Sequence, residues 1–369
     1  MLNWRWTRTR GAALAMLVGL AIATPESRPA AHNRQSQVTW TTDVESILQR
    51  RCVGCHAAGG FGPMSLASYQ DARTWATAIR REVLERRMPP WPAARGFGDY
   101  LNDRSLTPIE VELLTAWADG LTPIGPSVAQ SARVDGSSHQ HADLVIEEPA
   151  DRTVTGRVDR IELATGLTAD RWMSGWEFRP GNRSIVEQAV VWILPATNIG
   201  RSEAGVDVRG KGAPGVDMLG AWTPSDGPVV YPVGIAQRLP AGSRIALELH
   251  YRKSARPEVD RSGVAFRFGA RPAHEVRHRS LACGAAAIDR DVEALAVTPR
   301  AQEAGASIEI VARRADESIE PLTVVPSYQP AYPITYRFRK GIPLRRGTTI
   351  DVRSSVAGCS ADLEFVARR

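Results

Sequence analysis

The sequence predicts a multidomain chain in which a small all-α domain is followed by all-β tandem antiparallel sandwiches. Between residues 40 and 121, apolar residues recur at three- and four-residue steps, which is helical spacing. Beyond residue 142, short runs alternate apolar and polar residues, the pattern of half-buried strands. A chain of 369 residues can bury more than one core, so two or three domains are expected.

The amino terminus has the pattern of a cleaved secretory signal. Three arginines precede an apolar run over residues 12–23 that is too short to cross a bilayer of about 30 Å comfortably as a helix. We therefore expect a signal peptide over residues 1–23, with an uncleaved anchor as the alternative. A proline-bearing tether over 24–39 follows, and the mature chain is expected to be periplasmic or secreted, without a stable membrane span.

The net charge gives little support for a polyanionic partner. Lys and Arg total 46 against 40 Asp and Glu, a formal charge of +6. Residues 1–23 hold three arginines and no acid, so their removal leaves +3. The remaining positive charge is nearly all arginine spread along the chain, and we expect no nucleic-acid partner.

Three helices and one long loop are predicted between residues 40 and 122. Capping pairs predict the helix starts, and glycine or proline predicts the ends. The predicted helices run from the Thr42–Glu45 pair to Gly54, from Ser68 to Pro89-Pro90, and from the Thr107–Glu110 pair to Gly120.

The motif Cys52-Val-Gly-Cys55-His56 carries the chemistry of this segment. Two thiols three positions apart can each form a thioether to a haem vinyl group, and the adjacent histidine is then fixed beneath the iron as the proximal ligand. A CxxC disulfide and half of a zinc site are the alternatives. Zinc would need a second ligand pair nearby, and no cysteine recurs before Cys283. A redox CxxC normally lies beside a strand, whereas this motif lies among predicted helices. We therefore predict covalent attachment of haem c.

Two methionines are candidates for the distal iron ligand. Met64 lies only eight residues past His56, too close to wrap easily over the opposite haem face. Met88 begins a proline-stiffened loop 32 residues after the histidine and is the predicted ligand, with a packing methionine as the alternative. His/Met ligation raises the reduction potential and suits electron transfer.

Two segments resemble a known group of proteins. Residues 52–73 read CVGCHAAGGFGPMSLASYQDAR and residues 86–93 read RRMPPWPA. They resemble the cytochrome c module at the front of bacterial proteins whose remainder is similar to copper type II, ascorbate-dependent monooxygenases. The peptidylglycine alpha-hydroxylating monooxygenases belong to that family. The resemblance covers about residues 40 to 369 and implies two tandem jelly-roll subdomains, each holding one copper.

The resulting domain plan has three units and one linker. Residues 40–122 form the cytochrome c-like domain, and the Pro-, Gly- and Ser-rich segment 123–142 is the linker. The monooxygenase-like sandwiches cover 143–272 and 273–369. Their predicted strands include 190–194, 244–251, 263–268, 307–313, 334–338, 349–352 and 362–366.

A faint internal repeat supports two sandwiches of related design. The segment from Leu239 to Leu247 echoes the segment from Leu344 to Val352, at an offset of 105 residues. Cys283 and Cys359 are the two thiols left over, and in an oxidising compartment they have one possible pairing. We therefore predict a disulfide within the second sandwich, with two buried free thiols as the alternative.

The resemblance implies a first copper held by a His-His pair, after an EFRPGN-like segment, and by a histidine in an L-x-L-H-Y strand. The segment is present at residues 176–182, but the pair position, residues 186–189, reads Val-Glu-Gln-Ala. The strand keeps His250, the one remaining ligand of three. Glu187 with His250 would make a weaker mononuclear site if the sheets bring them together, but a two-ligand site holds a metal poorly.

The implied second copper takes two histidines from a P-H-x-H-x-x-G segment and a methionine near the carboxyl end. Residues 299–305 match this frame, with Arg300 and Gln302 at the histidine positions, and no methionine follows Met218. Copper prefers imidazole, thiolate or thioether donors, whereas an amide oxygen is poor and arginine offers no lone pair. Five ligands are missing, so copper is not expected.

The sequence therefore predicts a periplasmic c-type cytochrome that passes one electron at a time to a redox partner protein. Its sandwich region is expected to be copper-deficient and catalytically inactive. One alternative is a haem-fed copper monooxygenase with atypical ligands. Another is a non-catalytic subunit paired with a copper-bearing paralogue.

Overall fold

Helices occupy the first part of the chain that the structure describes. The computed structural model describes residues 37–126, 141–196 and 216–368. The predicted signal peptide, most of the tether and most of the linker lie outside these residues. A π-helical turn precedes four α-helices. The bounds are Trp40–Val44 for the turn, then α1 (Glu45–Arg51), α2 (Tyr69–Thr74), α3 (Ala76–Leu84) and α4 (Pro108–Asp119).

The start of α4 confirms the predicted capping box. The Glu110 amide donates to Thr107 Oγ1 at 3.1 Å, and the Thr107 amide donates to Glu110 Oε2 at 2.9 Å. Proline at the first helical position needs no amide partner, and Gly120 follows the last turn. This helix is therefore set by local sequence signals.

The predicted cap of the first helix was wrong by one turn. Thr39, not Thr42, has the extended backbone that an N-cap needs, with φ −122° and ψ 161°. Its side chain accepts from the Thr42 amide at 3.4 Å, and its own amide donates to Asp43 at 2.8 Å. The second predicted helix begins after Ser68 as expected, but it divides at Trp75 into α2 and α3.

Nineteen strands follow within residues 141–196 and 216–368. In chain order they are β1 (Leu144–Glu147), β2 (Arg152–Val154), β3 (Val158–Ala164), β4 (Arg171–Arg179), β5 (Val186–Leu194), β6 (Asp217–Trp222), β7 (Val229–Val230), β8 (Ile235–Leu239), β9 (Arg244–Tyr251), β10 (Glu258–Asp260), β11 (Gly263–Gly269), β12 (His274–Ala282), β13 (Gly284–Ala287), β14 (Val292–Arg300), β15 (Ile308–Arg313), β16 (Ile319–Val325), β17 (Tyr336–Leu344), β18 (Thr349–Ser354) and β19 (Ser360–Ala367).

The strands pair almost entirely antiparallel and enclose two main β cores. Around the first core, the order β1-β11-β4-β8 faces the order β3-β9-β5-β6. Around the second, β12-β19-β14-β17 faces β13-β18-β15-β16. A short parallel pairing between β8 and β12 joins them. The predicted antiparallel sandwiches are confirmed, and every predicted strand overlaps an observed one.

The internal repeat corresponds to the same local structure in both halves. Gly242 precedes β9 with φ +65°, and Gly347 precedes β18 with φ +88°. These left-handed conformations cost glycine little, so both turns can reverse the chain tightly into a buried strand. The repeat is thus a turn-and-strand unit used once in each sandwich.

The predicted disulfide is present in the second sandwich. Cys283 and Cys359 are bonded, with their Cα atoms 5.2 Å apart across a sequence separation of 76 residues. It joins the end of β12 to the start of β19, two neighbouring antiparallel strands.

The loop between α3 and α4 is built into the second sandwich. The amide of Ala94 donates to the carbonyl of Val324 at 2.7 Å, and that of Leu101 to the carbonyl of Arg337 at 2.8 Å. Tyr100 lies in the core of that sandwich, and its hydroxyl donates to the Leu322 carbonyl at 2.9 Å. The helical segment is therefore attached firmly to the β region. Among the described residues, no helix is long and apolar enough to cross a membrane.

Candidate functional site

The Cys-x-x-Cys-His segment forms a turn that continues from α1. The Cys52 amide donates to the Leu48 carbonyl at 2.9 Å. The amides of Cys55 and His56 both donate back to the Cys52 carbonyl, at 3.1 and 2.9 Å. The turn brings the two cysteines and the histidine together at one end of the helix, and both thiols are free.

A backbone carbonyl fixes the orientation of the His56 ring. Its Nδ1 lies 3.2 Å from the carbonyl oxygen of Met64. A carbonyl oxygen can only accept, so Nδ1 carries the proton and donates. In the neutral ring the lone pair then belongs to Nε2, which is the tautomer that a metal-binding histidine adopts when its other nitrogen is held in this way.

Gly62 leaves room for that ring. An added Cβ at this position would lie 2.5 Å from Nδ1 and 2.8 Å from Cγ of His56. The Gly62 amide donates to the Cys55 carbonyl at 2.7 Å, so the backbone is held close to the ring. A side chain here would displace the imidazole, and the sequence pattern gave no sign of this requirement.

Burial keeps both thiols protonated. It raises the pKa of Cys52 to about 12, with a further contribution from neighbouring Cys55. Burial also raises the pKa of Cys55, although the hydrogen bond to Ser225 lowers it in part. Reactive dithiols and zinc sites use thiolates of lowered pKa, and this pair lacks that electrostatic preparation.

The two candidate distal methionines lie in different surroundings. Met64 packs against the helical core, and its carbonyl already accepts the hydrogen bond from His56 Nδ1. Met88 follows α3 and is 41% exposed, so its thioether is not committed to a core. The two methionines therefore differ in position. The Met64 backbone orients the His56 ring, whereas Met88 lies at the start of the loop to α4.

The Cys-His turn packs directly against the first sandwich. Cys55 Sγ lies 3.8 Å from Ser225 Oγ, and an added Cβ on Gly54 would lie 3.0 Å from the Ser225 Cα. Arg252 donates to the Phe61 carbonyl at 2.7 Å and covers the Phe61 ring at 5.4 Å. The edge of the turn that carries Cys55 therefore faces protein.

Arg104 is a buried cation beside this contact that the sequence did not identify. Its Nη1 donates to Thr223 Oγ1 at 2.7 Å and to Ser225 Oγ, and its guanidinium lies 5.9 Å from the Trp91 ring. Burial alone would lower the pKa of Arg104, but Asp226 raises it above the ordinary value. No motif surrounds Arg104, and its hydrogen-bond partners Thr223 and Ser225 are more than 100 residues away in the chain.

The strand that carries His250 places it in a polar network. In β9 it pairs with Gln188 of β5, because Glu187 falls at a bulge in the register. Its Nε2 lies 3.0 Å from Glu248 Oε1, and Arg160 binds the other Glu248 oxygen at 2.8 Å. Burial would raise the pKa of Glu248, but hydrogen bonds from His250 and Arg160 lower it to about 2. The Glu248 carboxylate is therefore ionised and accepts a hydrogen bond from the N–H group at His250 Nε2.

Arg300, at the end of β14, carries a positive charge where the resemblance implies a copper ligand. Its Nη2 donates to Met218 Sδ at 2.9 Å, and its Nε lies 3.0 Å from Asp362 Oδ2. The guanidinium also lies 5.5 Å from the Trp192 ring. Gln302 is exposed beyond the strand end, beside Gly358. Within residues 37–126, 141–196 and 216–368, no group of three or more His, Cys, Asp or Glu is arranged to hold a metal ion.

Comparisons with known proteins place this chain in no family. No protein-family model matches it, and no curated protein matches it. Among solved structures, A223, a turret protein of Sulfolobus turreted icosahedral virus, is 12% identical, covering 61% of this chain and all of that one at a TM-score of 0.15. Bacillus subtilis oxalate decarboxylase is 8% identical, covering 68% of this chain and 81% of that one, also at 0.15. Scores this low carry no argument about fold or activity.

Proposed function

We propose that the chain is a c-type cytochrome in which haem is attached through Cys52 and Cys55. The carrying observation is the hydrogen bond from His56 Nδ1 to the Met64 carbonyl, which leaves the Nε2 lone pair for iron. Two free thiols at the end of α1 stand beside this ring. A disulfide would leave the histidine without a role, and a zinc site would need a second ligand pair and thiols of lowered pKa, whereas burial raises the pKa of both Cys52 and Cys55.

The chemistry that haem supplies when bound is reversible one-electron transfer by iron. The chain's own residues bind, orient and shield it. Gly62 and the Met64 carbonyl hold the imidazole plane. Ser225 and Arg252 cover the Cys55 side of the turn.

Met88 is proposed as the distal ligand. Met64 is unsuited because its carbonyl accepts the hydrogen bond from His56 Nδ1, which keeps this residue beside the nitrogen that would not bind a metal. Met88 is exposed enough to move toward a metal, and the loop that follows is anchored to the second sandwich through Ala94. A His/Met pair favours a raised reduction potential.

The sandwiches are proposed to resemble the monooxygenase jelly rolls in fold but to lack their coppers. His250 points its protonated Nε2 at Glu248, so the lone pair at that nitrogen is not offered to a metal. At the second position, the guanidinium of Arg300 already binds the Met218 sulfur and repels a cation. The β region would then serve as a docking or scaffolding body.

The proposed setting is the periplasm or the cell exterior, with a redox protein as partner. The disulfide between Cys283 and Cys359 fits an oxidising compartment. A copper-bearing paralogue remains the alternative partner, since the sandwiches themselves hold the wrong side chains for copper.

Replacing Met88 tests the ligand assignment. In chain matured with haem, Met88→Leu should abolish the methionine-to-iron charge-transfer absorption and lower the midpoint potential, because a thioether stabilises reduced iron. Met64→Leu is the matched control and should leave both unchanged, since its carbonyl stays in place. Survival of the band in Met88→Leu, with its loss in Met64→Leu, would reverse the assignment.

A further inference from the structure

A cavity of about 570 Å³ lies where the helical segment meets both sandwiches. Its size is in the range of small-molecule sites. One side comes from the end of α1 and the loop before α4, and the other from β4, β6, β7, the β6–β7 loop and the start of β17. The lining includes Arg51, Asn102, Arg104, Trp176, Trp222 and Thr335.

Arg104 has two hydrogen-bond donors without a partner in this lining. The residue is 7% exposed, and its Nε and Nη2 are buried without a hydrogen bond of normal geometry to any described residue, although Tyr332 lies close enough to raise the pKa of Arg104. The nearest carboxylate oxygen, on Asp226, lies 3.7 Å from Nη2, beyond hydrogen-bond distance. A buried charged donor left unsatisfied is costly, and its position calls for an acceptor.

The other arginines of the cavity are already neutralised. Arg50 and Arg51 pair with Glu110, and Arg337 pairs with Glu364. Arg104 also faces a carboxylate, that of Asp226, but at 3.7 Å this pair leaves Nε and Nη2 without a hydrogen bond among the described residues. One anionic group is enough to satisfy them.

Apolar and polar side chains share the walls around Arg104. Trp176 and Trp222, which are 3% and 6% exposed, reach the lining together with short aliphatic side chains from the β6–β7 region, and Asp103 and Asp226 line it as well. A guanidinium edge presents two donors in a plane, which matches the two oxygens of a carboxylate. Aromatic walls beside such an edge suit a flat organic body.

We propose that this cavity binds a carboxylate, held by Arg104 Nε and Nη2, whose flat apolar body lies against Trp176 and Trp222. Two sources share this chemistry. One is a free aromatic acid, and the other is a propionate of haem attached at Cys55. Only the second source rests on the proposed function, because the cavity exists in the chain itself.

The test is isothermal titration calorimetry of the full chain with 2-naphthoate. The neutral analogue 2-naphthylmethanol measures what the apolar body contributes without the charge. Two forms are titrated: the haem-matured chain, and the full-length Cys52→Ala/Cys55→Ala chain, which cannot attach haem. The absorption spectrum of the matured sample reports haem attachment independently, so failure of the proposed function is seen separately.

The expected result is binding of naphthoate, with weak or no binding of the alcohol. Arg104→Gln should weaken naphthoate binding about tenfold or more, because it removes a charge-assisted pair. The control Arg290→Gln, at an arginine 67% exposed in its side chain, should not. Asp226→Asn should strengthen binding by removing the competing carboxylate, an effect of opposite sign that a damaged fold cannot imitate.

The pattern of binding identifies the source of the carboxylate. Binding to both forms supports a free acid, and binding to the haem-free form alone supports a haem propionate as the natural occupant. The proposal is overturned by absence of binding in both forms. It is also overturned by equal affinity in Arg104→Gln and wild type, or by equal affinity for acid and alcohol.

Discussion

Gly62→Ala is the sharpest perturbation of the proposed haem ligand. The new Cβ would lie 2.5 Å from Nδ1, 2.8 Å from Cγ and 2.9 Å from Cε1 of His56. Carbon and nitrogen atoms pack at about 3.5 Å or more, so the ring must retreat by roughly 1 Å. The clash is closest at Nδ1, the atom that donates to the Met64 carbonyl, so we expect the retreat to break the 3.2 Å hydrogen bond.

The expected cost follows from overpacking and the lost bond. Forcing an extra methyl into a packed site typically costs about 1–3 kcal/mol, and the lost hydrogen bond contributes about 1 kcal/mol within that range. The assay is denaturant unfolding followed by the haem absorption band, which reports the helical segment. The midpoint potential and axial-ligand spectrum should change as well, because the histidine orientation is disturbed.

Gly156→Ala is the matched control for this substitution. Its added Cβ would lie no closer than 3.7 Å to Val158, an ordinary contact. The same chemical change should therefore leave the spectrum and the unfolding curve of the haem band unaltered. If Gly62→Ala behaved like Gly156→Ala in both readouts, the inferred packing of Gly62 against His56 would be refuted.

Two further predictions concern stability. Reducing the bond between Cys283 and Cys359, or replacing both with serine, should cost about 4 kcal/mol for so long a loop; an unfolding midpoint insensitive to reductant would contradict this. Burial would raise the pKa of Glu110, but the N-cap amide and Arg51 hold it below its usual range. Its stabilisation is present above the unfolded pKa and is lost as the pH falls through the lowered folded value. Glu110→Gln should therefore destabilise the helical segment at pH 7 and flatten its acid dependence, whereas Glu112→Gln on the exposed face of α4 should do neither; equal curves for the two variants would contradict the assignment.

Signals that act over a few residues were readable from the sequence. The pair Thr107 and Glu110 predicted the start of α4 because a capping box is complete within four residues. Alternating apolar residues predicted the strands, since one face of each is buried. The disulfide followed from counting, because only Cys283 and Cys359 were left to pair.

Contacts between distant segments were not readable in this way. Arg104 lies in a loop without periodicity, and its partners Thr223 and Ser225 are separated from it by 119 and 121 residues. Tyr100 joins the core of a sandwich more than 200 residues away. Such contacts depend on how the folded sandwiches pack against the helical segment, so no local sequence pattern predicts them.

The cap at Thr39 shows a smaller failure with a clear cause. Thr42 with Glu45 has the spacing of a capping box, but Thr39 with Asp43 offers the chain an earlier start through a π-helical turn. Two overlapping cap signals compete here, and the structure takes the one whose first residue is extended. Spacing alone does not decide between them.

The central claim is tested most directly by the mass and metal content of the purified chain. Expressed with haem-maturation machinery, the protein should gain the mass of one haem, retain it after denaturation, and contain one iron without stoichiometric copper. Cys52→Ala/Cys55→Ala should lose the added mass. A wild-type chain without covalent haem would contradict the account at its base, and stoichiometric copper with ascorbate-dependent oxygen uptake would contradict the copper-deficient sandwiches.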